Sequence, residues 1–173
     1  MNFCILGAGA WGTAMAVHLT RAGHAVTLAP RRIEHALEIA SSRENKDYLP
    51  GIELDSNLQI GCELRPVLME AEVVLFACPS KALRDTCRQV ASHLEDAWSA
   101  RAFLALCKGL EPETYQLPHE VMREELGEKV AIGYLTGPTC ALEVAEGKPA
   151  AMVLSAEGEA DLIAATQAAC STE

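Results

Sequence analysis

Residues Phe3 to Gly12 restrict what this chain can become more than any other stretch. Phe3-Cys4-Ile5-Leu6 is an apolar run too short for a helix and suited to a buried strand. Gly7, Gly9 and Gly12 follow at the spacing G-x-G-x-x-G. Gly12, Met15, Ala16, Leu19 and Ala22 then recur with helical spacing, and Gly23 stands where a helix end favours positive φ. Strand, tight turn and helix in that order give the glycine pattern its meaning. Gly7 permits the turn, Gly9 lets a pyrophosphate approach the backbone, and Gly12 lets the helix pack on the strand. The helix start adds unpaired N–H groups and the positive end of a dipole. These features predict a dinucleotide site; a glycine-rich turn that binds nothing is the alternative.

The chain has 173 residues, 50% of them hydrophobic, which suits one domain with a full core. Its net charge of −10 argues against a nucleic-acid partner, which would need clustered Lys and Arg. A small anionic ligand remains compatible, because a local patch can oppose the global charge. No stretch is apolar for long enough to span a bilayer, and no cleavable signal pattern is visible. The 7 cysteines are scattered without a C-x-x-C pair, so they read as reduced core residues of a cytoplasmic protein rather than zinc ligands or disulfides.

Strand-like and helix-like segments alternate along the whole chain. That alternation predicts an α/β fold, a doubly wound, Rossmann-type, mostly parallel sheet with helices on both faces. Ala25–Ala29 reads as the second strand and Ile33–Ser42 as the second helix. Arg43–Asn57, which contains Tyr48-Leu49-Pro50-Gly51, reads as looser chain. Leu58–Cys62 is expected as a short strand and Val67–Ala71 as a short helix. Glu72–Cys78 is a buried strand, after which Pro79 opens a helix running to about His93. Ala102–Cys107 and Val130–Leu135 read as strands, and Thr114–Leu126 holds a helix whose start Pro118 limits. Thr139–Glu146 and Gly158–Cys170 read as helices, with Ala150–Ser155 extended between them. No linker, repeat or low-complexity stretch divides the chain, so residues 1–173 are expected to form one domain.

Open α/β sheets bind ligands beyond the carboxyl ends of their strands. Those ends are the Gly7–Gly12 loop, Pro30-Arg31-Arg32, Cys78-Pro79-Ser80, Lys108-Gly109 and Thr136-Gly137-Pro138-Thr139. The second bears on cofactor choice. A site for NAD usually carries Asp or Glu there to hold the ribose hydroxyls. Arg31 and Arg32 cannot accept from a 2′-hydroxyl but can pair with a 2′-phosphate. NADP is therefore expected to be accepted, with NAD still open because a guanidinium can stack on adenine. A pair of solvated charges is the blander reading. Lys108, alone among the lysines, sits directly at a carboxyl end. Its ammonium could hold a phosphate or hydroxyl oxygen of a substrate, or merely extend from the rim of the sheet. Gly137 allows close approach and Thr139 can cap the next helix; Ser80 has the same ambiguity. The 5 histidines show no metal-ligand spacing, and no Ser/His/Asp set is visible.

Several stretches gain weight together. They are Gly7-Ala8-Gly9-Ala10-Trp11-Gly12-Thr13-Ala14, Asn45 with Tyr48-Leu49-Pro50-Gly51, Cys78-Pro79-Ser80, Lys108-Gly109-Leu110-Glu111, and Thr136-Gly137-Pro138-Thr139 with Ala141 and Glu143. In order and spacing they resemble the bacterial NAD(P)-dependent glycerol-3-phosphate dehydrogenase family across nearly the whole chain. The first stretch is shared by many dehydrogenases, whereas Lys-Gly-Leu-Glu followed by Gly-Pro-Thr is far more specific. The resemblance implies an N-terminal cofactor-binding domain. It implies that Gly7, Gly9, Ala10, Trp11 and Gly12 form the cofactor-binding turn, with Ala10 and Trp11 against the pyrophosphate, and that Arg31 and Arg32 lie against the adenosine ribose phosphate. Tyr48, Pro79 and Ala141 would also touch the cofactor. Lys108 would meet cofactor and substrate, and Gly137 and Thr139 would line the substrate site. The implied reaction is reversible hydride transfer between NAD(P)H and dihydroxyacetone phosphate, giving sn-glycerol 3-phosphate for phospholipid synthesis.

Some positions depart from the family. Ala10 stands where serine is frequent, a small change if backbone N–H groups do the binding. Cys140 stands where phenylalanine is common, which loosens packing near the nicotinamide. In the family a second, all-helical domain supplies a lysine general base and most ligands of the substrate phosphate, and no such region lies within these 173 residues. The resemblance thus implies no catalytic residue here beyond assistance from Lys108, and cofactor binding with little turnover by this chain alone. It also implies an uncovered apolar face that favours homodimers or aggregation. The reading from another class is a non-catalytic, nucleotide-sensing module.

Overall fold

Strand β1 (Asn2–Leu6) is buried at every position after Asn2, and such a strand must lie inside a sheet. The computed structural model describes residues 1–93 and 99–171. β1 pairs in parallel with β2 (Ala25–Ala29) on one side and β6 (Val73–Phe76) on the other. β2 continues outward to β5 (Gln59–Ile60), and β6 to β7 (Ala102–Ala105) and β8 (Ala131–Thr136), all parallel. β9 (Val153–Glu157) closes the edge antiparallel to β8. The order β5-β2-β1-β6-β7-β8-β9 runs outward from β1 in both directions. The direction of winding therefore reverses between β1 and β6, where open α/β sheets leave a crevice.

Pleating sends alternate residues to opposite faces. Phe3 and Ile5 join Leu28, Leu75 and Leu104 under Met15 and Leu19 of helix α1 (Ala10–Arg21), with Ala169 of α7 (Ala160–Ala169) at the margin. Cys4 and Leu6 join Val74, Phe76 and Phe103 on the other face. Leu68 of α3 (Leu64–Glu70), Leu83 and Cys87 of α4 (Ser80–Ala91), and Val121 and Met122 of α5 (Pro118–Leu126) cover that face. Full burial of side chains this size stabilises by about 1.5–3 kcal/mol each. Helices on both faces explain why the strands read as continuous apolar runs.

The looser chain expected at Arg43–Asn57 is more ordered than that. Helix α2 (Ile33–Ser42) ends at Arg43, which takes a left-handed φ of 52°. β3 (Glu44–Asn45) then pairs antiparallel with β4 (Leu49–Glu53) in a small second sheet. The Arg43 guanidinium closes the segment by donating to the carbonyls of Leu54, Asp55 and Leu58. β9 overlaps the expected Ala150–Ser155 but starts and ends later, and α6 (Ala141–Ala145) is shorter than Thr139–Glu146. His18 and His24 donate through Nε2 to the carbonyls of Cys170 (2.9 Å) and Ala169 (3.0 Å), tying α1 and the start of β2 to the end of α7. Burial pushes the Cys4 thiol up to about 12 and those of Cys107 and Cys170 to about 11, so they stay protonated at neutral pH.

Candidate functional site

The turn after β1 is packed so tightly that two of its glycines leave no room for a side chain. At Gly7, with φ of +116°, a Cβ would stand 2.7 Å from the Ala77 carbonyl oxygen. At Gly12 it would stand 2.1 Å from the Gly7 oxygen and 2.9 Å from the Ala77 Cβ. The start of α1 and the turns after β1 and β6 are thus pressed together at the switch point. Gly9 differs: its φ of −75° suits any residue, and a Cβ there would meet nothing within 4 Å. Gly9 is the N-cap of α1, no side chain caps the helix, and its first turn carries no acidic residue. The Thr13 N–H is the first to bond back, to the Gly9 oxygen at 3.0 Å. The N–H groups of Ala10, Trp11 and Gly12 are left without helical partners. Open space over donors at the positive end of a helix fits the pyrophosphate of a dinucleotide.

The rim around this cradle comes from several elements. Trp11 and Ala141 pack on a small cluster of Ala14, Leu49, Val144 and Ala145, which lays α6 across α1. Arg21 fastens that helix by donating to the Ala145 carbonyl. Helix α4 also starts at the switch point, with exposed Pro79 as its N-cap, no side-chain cap and no acidic first turn. A Cβ on Gly109 would lie 3.7 Å from Ser80 Oγ, so the turn that carries Lys108 meets the start of α4. Lys108 is exposed, as are Arg31 and Arg32 at the start of α2, and none of the three has an ion pair among the described residues.

Behind Lys108 lies a charged clamp. Arg84 of α4 grips Glu111 through two bonds, Nε to Oε1 at 2.7 Å and Nη2 to Oε2 at 2.8 Å. Its Nη1 reaches Glu124 (2.8 Å) and Glu125 (2.6 Å) of α5. The hydrogen bonds from Arg84, then that from Thr114, hold the Glu111 carboxyl down at about 2. Glu111 thus anchors the segment that follows Lys108-Gly109.

Two expectations about side chains need correction. Thr139 does not cap α6: Cys140 is the N-cap, without a side-chain bond, and the Thr139 N–H donates to the Gly137 oxygen at 2.9 Å. Ser80 is not a cap either; it is the first residue of α4, after Pro79. Gly137 also has a packing role, since a Cβ there would stand 2.3 Å from the Ala151 carbonyl oxygen. Tyr48 is half exposed, its ring centroid 5.5 Å from that of His35. Beneath the glycine turn lies a buried polar group made by Thr13, His35 and Asn45. Its members look like ordinary surface types in sequence, and no periodicity marks their burial. A separate cavity of about 590 Å³ opens at the other end of α1, by Thr20 and Arg21. Its two arginines are spent on backbone carbonyls. Among the described residues, no three His, Cys, Asp or Glu side chains converge as a metal would require.

Comparison with known proteins bears on the same region. Residues 2–161 match the family described as NAD-dependent glycerol-3-phosphate dehydrogenase N-terminus. The chain is 39% identical over 160 residues to glycerol-3-phosphate dehydrogenase [NAD(P)+] of Hydrogenovibrio crunogenus, covering 88% of this chain and 44% of that protein. It is 40% identical over 172 residues to the enzyme of the same name from Corynebacterium glutamicum, covering 98% of this chain and 51% of that protein. The crystal structure of glycerol-3-phosphate dehydrogenase from Coxiella burnetii superposes with a TM-score of 0.90 at 29% identity, over 99% of this chain and 51% of that one. The chain therefore spans about half the length of the relatives it matches.

The two kinds of glycine should separate in experiment. Gly12→Ala is expected to cost about 1–3 kcal/mol through overpacking, read as a lower melting temperature. Gly9→Ala should leave the melting temperature within about 2 °C yet weaken NADH binding about tenfold, because its methyl group would occupy the cradle. The clamp makes a second prediction. Glu111 is held below its ordinary value of 4.5, so its contribution is complete above that pH and is lost as pH falls through about 2. The melting temperatures of the unaltered chain and Glu111→Gln should differ above pH 4.5 and converge towards pH 2.

Proposed function

The chain belongs to the NAD-dependent glycerol-3-phosphate dehydrogenase family, whose N-terminal part it matches, and from that premise we propose that it is the cofactor-binding domain of such an enzyme. The observation that carries this reading is the open cradle over Gly9, with uncapped amides beside it. In this reading the N–H groups near Ala10, Trp11 and Gly12 hold the pyrophosphate. Arg31 and Arg32 pair with a 2′-phosphate, so NADP is accepted beside NAD. Tyr48, Pro79 and Ala141 complete the cofactor contacts. Lys108 serves the cofactor and the substrate oxygen, and Gly137 and Thr139 line the glycerol phosphate. The bound nicotinamide supplies the hydride that, with one proton, converts dihydroxyacetone phosphate to sn-glycerol 3-phosphate.

What this chain's residues contribute is binding and charge. Lys108 can polarise a carbonyl oxygen as negative charge grows on it. Reduction also needs a placed proton donor and the exclusion of water. Lys108 is exposed on an open rim, which meets neither need well. We therefore assign the proton donor and most of the substrate-phosphate contacts to a helical region of the whole enzyme, and expect little turnover from residues 1–173 alone. An enzyme of this kind serves phospholipid synthesis in the cytoplasm. The 7 cysteines are free, which suits a reducing compartment. A homodimer is compatible with the exposed Leu110, Tyr115 and Leu117 beside the rim. A nucleotide-sensing module would share the cradle but would not need Lys108 at its edge.

Calorimetric titration tests the reading. Both NADPH and NADH should bind, and replacing Arg31 and Arg32 with alanine should weaken NADPH about tenfold while changing NADH less than twofold. Equal losses would remove the 2′-phosphate role, and failure of both cofactors to bind would remove the reading itself. Reduction of dihydroxyacetone phosphate at the rate of a complete enzyme would contradict the assignment of the proton donor elsewhere.

A further inference from the structure

The buried polar group beneath the glycine turn has a geometry that points at the cradle. Asn45 is fully buried, and its Nδ2 donates to the Ala8 carbonyl oxygen at 2.9 Å and to Thr13 Oγ1 at 2.7 Å. Its Oδ1 stands 3.1 Å from His35 Nε2. A carbonyl oxygen can only accept, so the amide nitrogen must be the atom facing Ala8, and Oδ1 must face the imidazole. His35 therefore donates through its Nε2–H. The four residues come from separate parts of the site: Ala8 from the turn, Thr13 from α1, His35 from α2 and Asn45 from β3.

The Ala8 carbonyl shares a peptide plane with the Gly9 N–H. In a trans peptide these two groups point in opposite directions. Drawing the oxygen inward to Asn45 turns the Gly9 N–H away from the core. Gly9 is the residue with open space beside it. His35, at the other side of Asn45, lies in the helix whose start carries Arg31 and Arg32, and its ring also lies against Tyr48.

We propose that Asn45 is a positioning residue of the dinucleotide site: it holds the Ala8–Gly9 peptide with its N–H towards the pyrophosphate and ties that peptide, through His35, to the helix that carries the arginines. The inference rests on the cofactor reading above. It explains why asparagine, and not aspartate, suits the position. An aspartate at neutral pH could still accept from His35 and Thr13 but has no hydrogen to offer Ala8.

The test compares two ligands that share an adenosine 2′-phosphate and differ in the pyrophosphate, NADPH and 2′-AMP. Asn45→Asp is nearly isosteric; it removes the donor to Ala8 and reverses the Thr13 bond, with Thr13 Oγ1 now donating. It is expected to weaken NADPH about tenfold and leave 2′-AMP within about twofold. The buried carboxylate lowers the melting temperature in either case, so the ligands decide: a merely structural role would weaken both in proportion, and that result, or no loss of NADPH, overturns the proposal. Should Asn45→Asp not fold, His35→Ala removes the third anchor instead. NADPH is then expected to weaken by about two- to fivefold, and unchanged NADPH binding overturns the proposal. The unaltered chain is titrated alongside, and its failure to bind NADPH would overturn the cofactor reading rather than the role of Asn45 within it.

Discussion

Helix α1 starts in contact with the turns that surround it, and the rest of the site follows from that contact. With Gly12 set against the Gly7 oxygen and the Ala77 Cβ, the axis of α1 has little freedom relative to β1 and β6. Its first amides therefore open at the one place where the winding of the sheet reverses. The two cores hold this arrangement from both sides. Phe3 and Ile5 pull α1 down on one face, while Cys4 and Leu6 seat β1 on α3 and α4 through the other. An added methyl group at Gly12 would push the helix off the strand; one at Gly9 would push only on what lies above it.

The rim is held by different forces at different points. Around Trp11 it is apolar packing with Leu49 and Val144. Around Lys108 it is the charged grip of Arg84 on Glu111, partly buried and bidentate. Beneath Ala8 it is a buried amide that satisfies three partners at once. A buried polar group costs stability unless every hydrogen bond is made, so such groups hold one geometry and tolerate little else. The exposed cations Arg31, Arg32 and Lys108 have no ion pair among the described residues. This division of labour suits a surface that waits for an anion.

Much of this was legible from the residues. The strands announced themselves because both faces of the sheet are covered, so runs such as Val73–Phe76 are apolar throughout. The turn after β1 was legible because backbone crowding at Gly7 and Gly12 admits only glycine. Arg31, Lys108 and Gly137 were legible because each follows the carboxyl end of an apolar strand-like run. What escaped was local and polar. The β3–β4 hairpin is short, and its order depends on Arg43 reaching carbonyls that lie well along the chain. Thr139 has a cap's side chain, yet the helix begins one residue later, with Cys140 as its N-cap. Gly137 itself is required by the nearby Ala151 backbone, which no motif discloses. Asn45 stood inside a recognisable stretch, but its burial depends on α1, α2 and the glycine turn meeting above it.

The central claim is that a pyrophosphate sits on the amides at the start of α1. The most direct measurement follows backbone ¹H–¹⁵N resonances of the chain while NADPH is added. The account expects the largest shifts at Gly9, Ala10, Trp11 and Gly12, with smaller ones at Lys108 and near Arg31. Saturable binding that leaves those four amides unmoved and shifts residues elsewhere would contradict it.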